Sequence, residues 1–129
     1  IEFTEKWCEI EVISRNDYKY NHAEFRKFES GYDAFFLSRQ FCSEFPKSDL
    51  VIGQCHWDYL IPIVAINNYY TIRSPKISHL YHKEHDLQYD VNKWKKTAKI
   101  FAKELNLTGN PHTDSAMAFK IIKREIKYY

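Results

Sequence analysis

An aspartate among aromatic side chains is the first group of residues that could do chemistry. A turn glycine, Gly53, comes first, and the group ends in His56, Trp57, Asp58 and Tyr59. At the start of a buried helix an acid stays ionised, because free N–H groups and the helix dipole favour its charge. Such a carboxylate can act as a general base or accept a hydrogen bond from a hydroxyl. In the structural alternative, Asp58 only caps the helix and Trp57 fills the core.

A histidine cluster is the second group with chemical potential. His79, His82 and His85 recur every three residues, with Glu84 and Asp86 between and beside them. Imidazole and carboxylate groups on a loop can ligate a divalent metal or contact a phosphate. The spacing matches no zinc signature. A polar loop with incidental histidines therefore stands as the alternative to a ligand site.

Hydrophobic spacing predicts the elements that must position these two groups. Apolar alternation or apolar runs predict strands over 8–14, 33–38 and 77–82, the second of them buried, with a further short apolar run over 49–53. Helices are predicted over 39–45, 57–67, 91–105 and 114–127. The segment 15–29 is a short helix or an ordered loop. Pro62 is tolerated only in a first turn, which puts the start of its helix near Asp58.

These elements predict an α/β fold: a short mixed sheet flanked by helices, followed by two C-terminal amphipathic helices. The helix over 91–105 is the clearest, because apolar residues recur on one face and lysines on the other, with Asp90 as its N-cap. Both chemical groups follow apolar runs read as strands. Open α/β sheets bind ligands at the carboxyl ends of their strands, so both groups lie where a ligand is expected.

Composition narrows the classes of protein. The chain has 129 residues and a net charge of +2, which suits one domain and makes nucleic acid an unlikely partner. Three cysteines without a CxxC pair predict reduced thiols in a core and a cytoplasmic protein. No apolar stretch approaches the roughly 20 residues of a membrane span. Signatures of P-loop, dinucleotide-binding and serine-hydrolase sites do not occur.

Four stretches in order, 31–39, 50–53, 56–62 and 79–86, resemble the acceptor-side, C-terminal half of GT-A-type glycosyltransferase-like proteins. The resemblance implies transfer of a sugar from a nucleotide-sugar donor to a hydroxyl acceptor. It implies that Asp58 is the base or acceptor contact, and that the substrate-binding residues are Trp57, Tyr59, His56 and Gly53. It further implies a divalent metal, Mn²⁺ or Mg²⁺, held near the diphosphate by His82 first, with His85 and then His79 as further candidates.

The resemblance covers only part of such an enzyme, since no Asp-x-Asp metal motif occurs in the chain. We therefore expect one domain, 1–129, that is a fragment of a larger enzyme, with a glycosyltransferase-like core over 31–86 and a helical part over 90–129. Its partner would be a missing N-terminal half or another protein. The alternative is a non-catalytic structural or interaction subunit that keeps the fold.

Overall fold

The computed structural model describes residues 9–28, 31–50, 52, 54–86 and 90–129, with only the backbone described for Glu9 and Glu104. The strands are β1 (Glu9–Ile13), β2 (Asn16–Tyr18), β3 (Phe25–Lys27), β4 (Ala34–Phe36), β5 (Thr71–Ser74), β6 (Tyr81–Lys83) and β7 (Ile126–Tyr128). The helices are α1 (Arg39–Glu44), α2 (Trp57–Asn67), α3 (Val91–Leu105) and α4 (Pro111–Glu125). The fold is therefore α/β, as the sequence predicts.

Two mixed sheets carry the site. One has the strand order β4-β1-β5-β7, with β4 antiparallel to β1 and the other pairs parallel. The other has the order β3-β2-β6, with β3 antiparallel and β6 parallel to β2. Asn16 ties β2 to the segment that leads into β6: its buried side-chain amide donates to the Ser78 carbonyl at 2.6 Å, and its backbone N–H donates to the Leu80 carbonyl at 2.7 Å.

One hydrophobic core unites the larger sheet with the four described helices, and α1 contributes Phe41 to it. Ile10 and Val12 of β1 and Ile72 of β5 point into it, as strand alternation requires. From the helices it takes most of α2, Phe101 of α3 and Ile122 of α4. Because α2 lies under the sheet, its first turn is held in a fixed position, and this turn carries Asp58.

Several predicted elements are confirmed. The strand over 8–14 is β1, with residue 8 outside the described residues, and the helix over 39–45 is α1. The helix over 91–105 has the predicted bounds, and the Asp90 side chain accepts hydrogen bonds from the Asn92 and Lys93 N–H groups at its start. The helix over 57–67 is α2, but the prediction that its proline lies in the first turn was wrong. Pro62 lies in the second turn, where it is fully buried.

Other predictions were wrong in part. Segment 15–29 was expected to be a short helix or an ordered loop, yet residues 16–27 form the hairpin β2–β3, with a turn in which the Asn21 side chain accepts the Ala23 N–H at 3.0 Å. Residue 29 lies outside the described residues. The strand over 33–38 is the edge strand β4, and Phe36 is 61% exposed rather than buried. Cys42 is exposed rather than in the core.

The boundaries differ most near the two chemical groups and at the C-terminus. Residues 49, 50 and 52 lie in no strand, so the aspartate group does not follow one there. The strand over 77–82 is β6, which begins only at Tyr81. The last helix begins at Pro111, because Asn110 caps it, and ends before 126–128, which forms β7 beside β5.

Candidate functional site

Asp58 lies in the first turn of α2 and joins that helix to the loop at residues 31–33. Its carboxyl group abuts the α-carbon of Gly31, so closely that a Cβ there would overlap Oδ2. The backbone N–H groups of Asp58 itself, Tyr32 and Tyr59 lie near this carboxylate and favour its charged form. A larger residue at position 31 would force the Asp58 carboxylate or the loop to move, so the close packing seen here depends on glycine.

The surroundings of Asp58 change its acidity. Burial, together with a smaller contribution from the nearby charge of Asp33, raises the pKa of Asp58 to about 6, although neighbouring backbone N–H groups act in the opposite direction. The carboxylate is therefore a stronger proton acceptor than an ordinary aspartate and is still ionised at neutral pH. These are the properties that a general base needs.

Three neighbouring acids stay protonated near Asp58. Burial and then the Asp58 charge raise the pKa of Tyr59 to about 12 and raise that of the Cys55 thiol. Burial is also the main cause that raises the pKa of Tyr32. Cys55 is consequently not an activated nucleophile, since a nucleophilic thiol needs a lowered pKa.

A line of charged side chains leads from the 31–33 loop to the histidine cluster. Asp33 Oδ1 lies 2.6 Å from an Arg15 guanidinium nitrogen, and Arg15 Nε lies 2.7 Å from Asp17 Oδ1. That Asp17 oxygen accepts from His82 Nδ1 at 3.1 Å, and the His82 and His85 rings are 5.2 Å apart. The fold thus links the two groups that the sequence singled out.

The histidines do not form a metal site on their own. Within the described ranges, no group of three or more His, Cys, Asp or Glu side chains could hold a metal ion. His82 uses Nδ1 toward Asp17, His85 uses Nδ1 toward the Asp86 carbonyl, and His79 is exposed. A divalent metal therefore remains a prediction that requires ligands from outside this set.

The remaining predicted site residues face different surroundings. His56 is buried, and its ring stacks on Phe101 at 5.4 Å and on Trp94 at 5.9 Å. Trp57 is half-buried with its ring 5.1 Å from that of Phe35, and Tyr59 is half-buried with its ring near Phe101. Gly53 lies outside the residues that the structure describes.

His56 is held unusually at the start of α2. Its backbone is left-handed, with φ 75°, and Nδ1 lies 3.2 Å from Thr97 Oγ1. Nε2 is buried without a hydrogen-bond partner in the described part of the chain. Burial lowers the pKa of this imidazole, which keeps the ring neutral in its aromatic surroundings.

Sequence reasoning did not assign Gly31, Arg15 or Asp17 to the site. One signal was available: Arg15 and Asp17 are charged residues directly after a predicted strand, where sheet edges place functional groups. Gly31 is one of three glycines, but nothing local says that it meets a carboxylate.

Comparisons with protein-family models, with curated proteins and with solved structures find no match for this chain. A functional proposal therefore rests on the geometry of this structure and on the resemblance of the sequence. Among the helices it describes, none is both long and apolar enough to cross a membrane.

Proposed function

We propose that this chain is the acceptor-side part of a metal-dependent glycosyltransferase that moves a sugar from a nucleotide-sugar to a hydroxyl acceptor. The observation that carries the proposal is the Asp58 carboxylate, partly buried at the start of α2 and packed against Gly31. The resemblance of the sequence to the acceptor-side half of GT-A-type proteins gives the direction. The geometry adds a carboxylate whose raised pKa suits a general base.

In this proposal Asp58 accepts the proton of the acceptor hydroxyl as that oxygen attacks the anomeric carbon of the donor sugar. The bond between sugar and phosphate breaks, and the nucleotide diphosphate leaves with the electron pair. Burial favours this role, since a carboxylate with a pKa near 6 binds the proton more readily than one with an ordinary pKa. Trp57 and Tyr59 flank the base in sequence, and in this proposal they bind the sugar.

The leaving diphosphate develops negative charge and needs a positive partner. Arg15 and His82, joined through Asp17, are the nearest such groups along the charged line. The described side chains do not form a metal site by themselves. If a metal takes part, the acidic ligands come from an upstream half of the enzyme, which the resemblance implies.

The test is transfer by the full natural protein that contains this chain, assayed with UDP- and GDP-sugars and hydroxyl acceptors. Asp58→Asn should lower kcat by about 100-fold or more, the usual contribution of a general base. Asp33→Asn, a matched change on the neighbouring acid, should lower it far less. The wild-type rate should fall as pH drops through about 6, because the protonated base is inactive. Activity of Asp58→Asn within a few-fold of wild type would remove Asp58 from the mechanism.

The alternative function is a non-catalytic interaction subunit. The edge strand β4 favours it, since Phe36 is 61% exposed there and an open sheet edge can pair with another chain. The same assay separates the two functions. A full natural protein that neither binds a sugar nucleotide by calorimetry nor transfers a sugar would support the interaction subunit.

A further inference from the structure

Two openings of opposite character are lined by residues of one short stretch of chain, residues 45–50 and 52. The first, the apolar cavity, lies between α1 and α2 and has a volume of about 250 Å³. The residues described in its walls carry no charge, and they include Leu37, Phe41, Cys42, Leu50, Trp57 and Leu60. Such a wall can pack against an alkyl or aryl group but provides no ionic partner for a charged group.

The second opening, the lysine cleft, lies between residues 47–49 and α3. Its volume is about 470 Å³, and it is lined by Lys47, Ser48, Asp49, Lys99, Ile100 and Lys103. Three lysines face one aspartate there. The cleft is therefore cationic and complements an anionic group.

The chain itself fixes the two openings side by side. Leu50 lines the apolar cavity, and Asp49, its direct neighbour, lines the lysine cleft. Ser48 Oγ accepts the Leu50 N–H at 2.9 Å, which holds this turn in place. A ligand that crosses this turn, with an apolar part on one side and an anionic part on the other, would contact both surfaces.

We propose that this chain binds a single-chain anionic lipid, with its alkyl chain in the apolar cavity and its phosphate headgroup on Lys47, Lys99 and Lys103. The cavity is larger than the apolar cavity of about 150 Å³ that holds benzene in an engineered protein, so it has room for a longer alkyl segment. The charge of the cleft selects the headgroup. Neither argument uses Asp58, so the proposal stands or falls independently of sugar transfer.

The first test is calorimetry with alkyl phosphates of increasing chain length, each below the concentration at which it forms micelles. Every added methylene should tighten binding by about threefold to fourfold until the cavity is full, and then the affinity should stop rising. Dodecyl maltoside, which has a neutral headgroup, should bind about tenfold more weakly than dodecyl phosphate or worse. Inorganic phosphate should show no binding.

The second test uses charge reversal. Lys99→Glu with Lys103→Glu should weaken dodecyl phosphate binding by about tenfold or more and leave dodecyl maltoside binding unchanged. The matched control is Lys120→Glu with Lys127→Glu, which changes the net charge equally at exposed positions outside the cleft. All four lysines are exposed, so these variants should fold.

The third test follows Cys42, whose exposed thiol lines the apolar cavity. Bound dodecyl phosphate should slow the alkylation of Cys42 by iodoacetamide. The rate of alkylation is measured by peptide mass spectrometry on the wild-type chain, so this test requires no variant. Equal binding of neutral and anionic amphiphiles, no dependence on chain length, adsorption to anionic vesicles without binding of the monomer, or an unprotected Cys42 would each overturn the proposal.

Discussion

The half-buried carboxyl of Asp58 should make the stability of this fold fall as pH rises toward neutrality. Burial raises its pKa from 3.8 to about 6. The folded state therefore holds the proton more tightly than the unfolded state, and this contribution to stability is full below pH 3.8 and is lost as pH rises through about 6. At about 1.4 kcal/mol per pKa unit, the ionised carboxylate lowers the free energy of unfolding above pH 6 by roughly 3 kcal/mol.

Asp58→Asn removes this pH dependence because the amide does not ionise. It also loses one acceptor for the Tyr32 and Tyr59 N–H groups, which adds an offset that does not vary with pH. The informative quantity is therefore the difference in the free energy of unfolding between variant and wild type. That difference should rise in favour of the variant by roughly 2.4 kcal/mol between about pH 4 and about pH 7.

Urea denaturation followed by tryptophan fluorescence measures this difference across the pH range. Asp86→Asn, the same chemical change on an exposed side chain, is the matched control and should not reproduce the rise. A difference that stays flat with pH would refute the reasoning. It would mean that the Asp58 carboxyl is no more desolvated in the folded state than in the unfolded one.

Two further predictions concern the same end of α2. Gly31→Ala should lower the free energy of unfolding by about 1–3 kcal/mol in wild type, because its Cβ would overlap the Asp58 carboxyl, and by clearly less in Asp58→Ser. Additive effects in that double-mutant cycle, measured by urea denaturation, would contradict the contact. His56 has a lowered pKa, so the stability it contributes above pH 6.5 should be lost as pH falls through its folded-state pKa. His56→Asn should show a smaller drop in Tm between about pH 8 and about pH 5 than wild type, and an equal drop would exclude this imidazole as its source.

The elements that sequence predicted well are those whose own residues carry a strong pattern. In α3 the apolar and lysine faces repeat at helical spacing and Asp90 caps the start, so the prediction and the structure agree on its bounds. Strand β2 carries no such pattern, because Asn16 and Asp17 are buried polar residues. Their partners, the Ser78 carbonyl and His82, lie more than 60 residues away, and no local signal reports them.

The candidate site also has features that the sequence predicted and features that it could not predict. The residue type and position of Asp58 at a helix start were readable in sequence, and the structure agrees with both. Its acidity was not readable, since it depends on burial against Gly31 and on the charge of Asp33, both from a distant loop. The link from that loop to His82 likewise runs through ion pairs of Arg15 that only the folded chain forms.

The burial that raises the pKa of Asp58 comes from contacts that also tie α2 to the loop at 31–33, so the same carboxylate would serve both the proposed proton transfer and the fold. The two roles respond differently to substitution. Gly31→Ala disturbs the packing but keeps the carboxylate, so it should act on stability before it acts on proton transfer. Asp58→Asn keeps the shape and one acceptor, so it should end proton transfer while the fold above pH 6 loses little or gains. If Gly31→Ala and Asp58→Asn both changed stability without changing the rate of transfer, Asp58 would have a purely structural role and the catalytic base would be another residue.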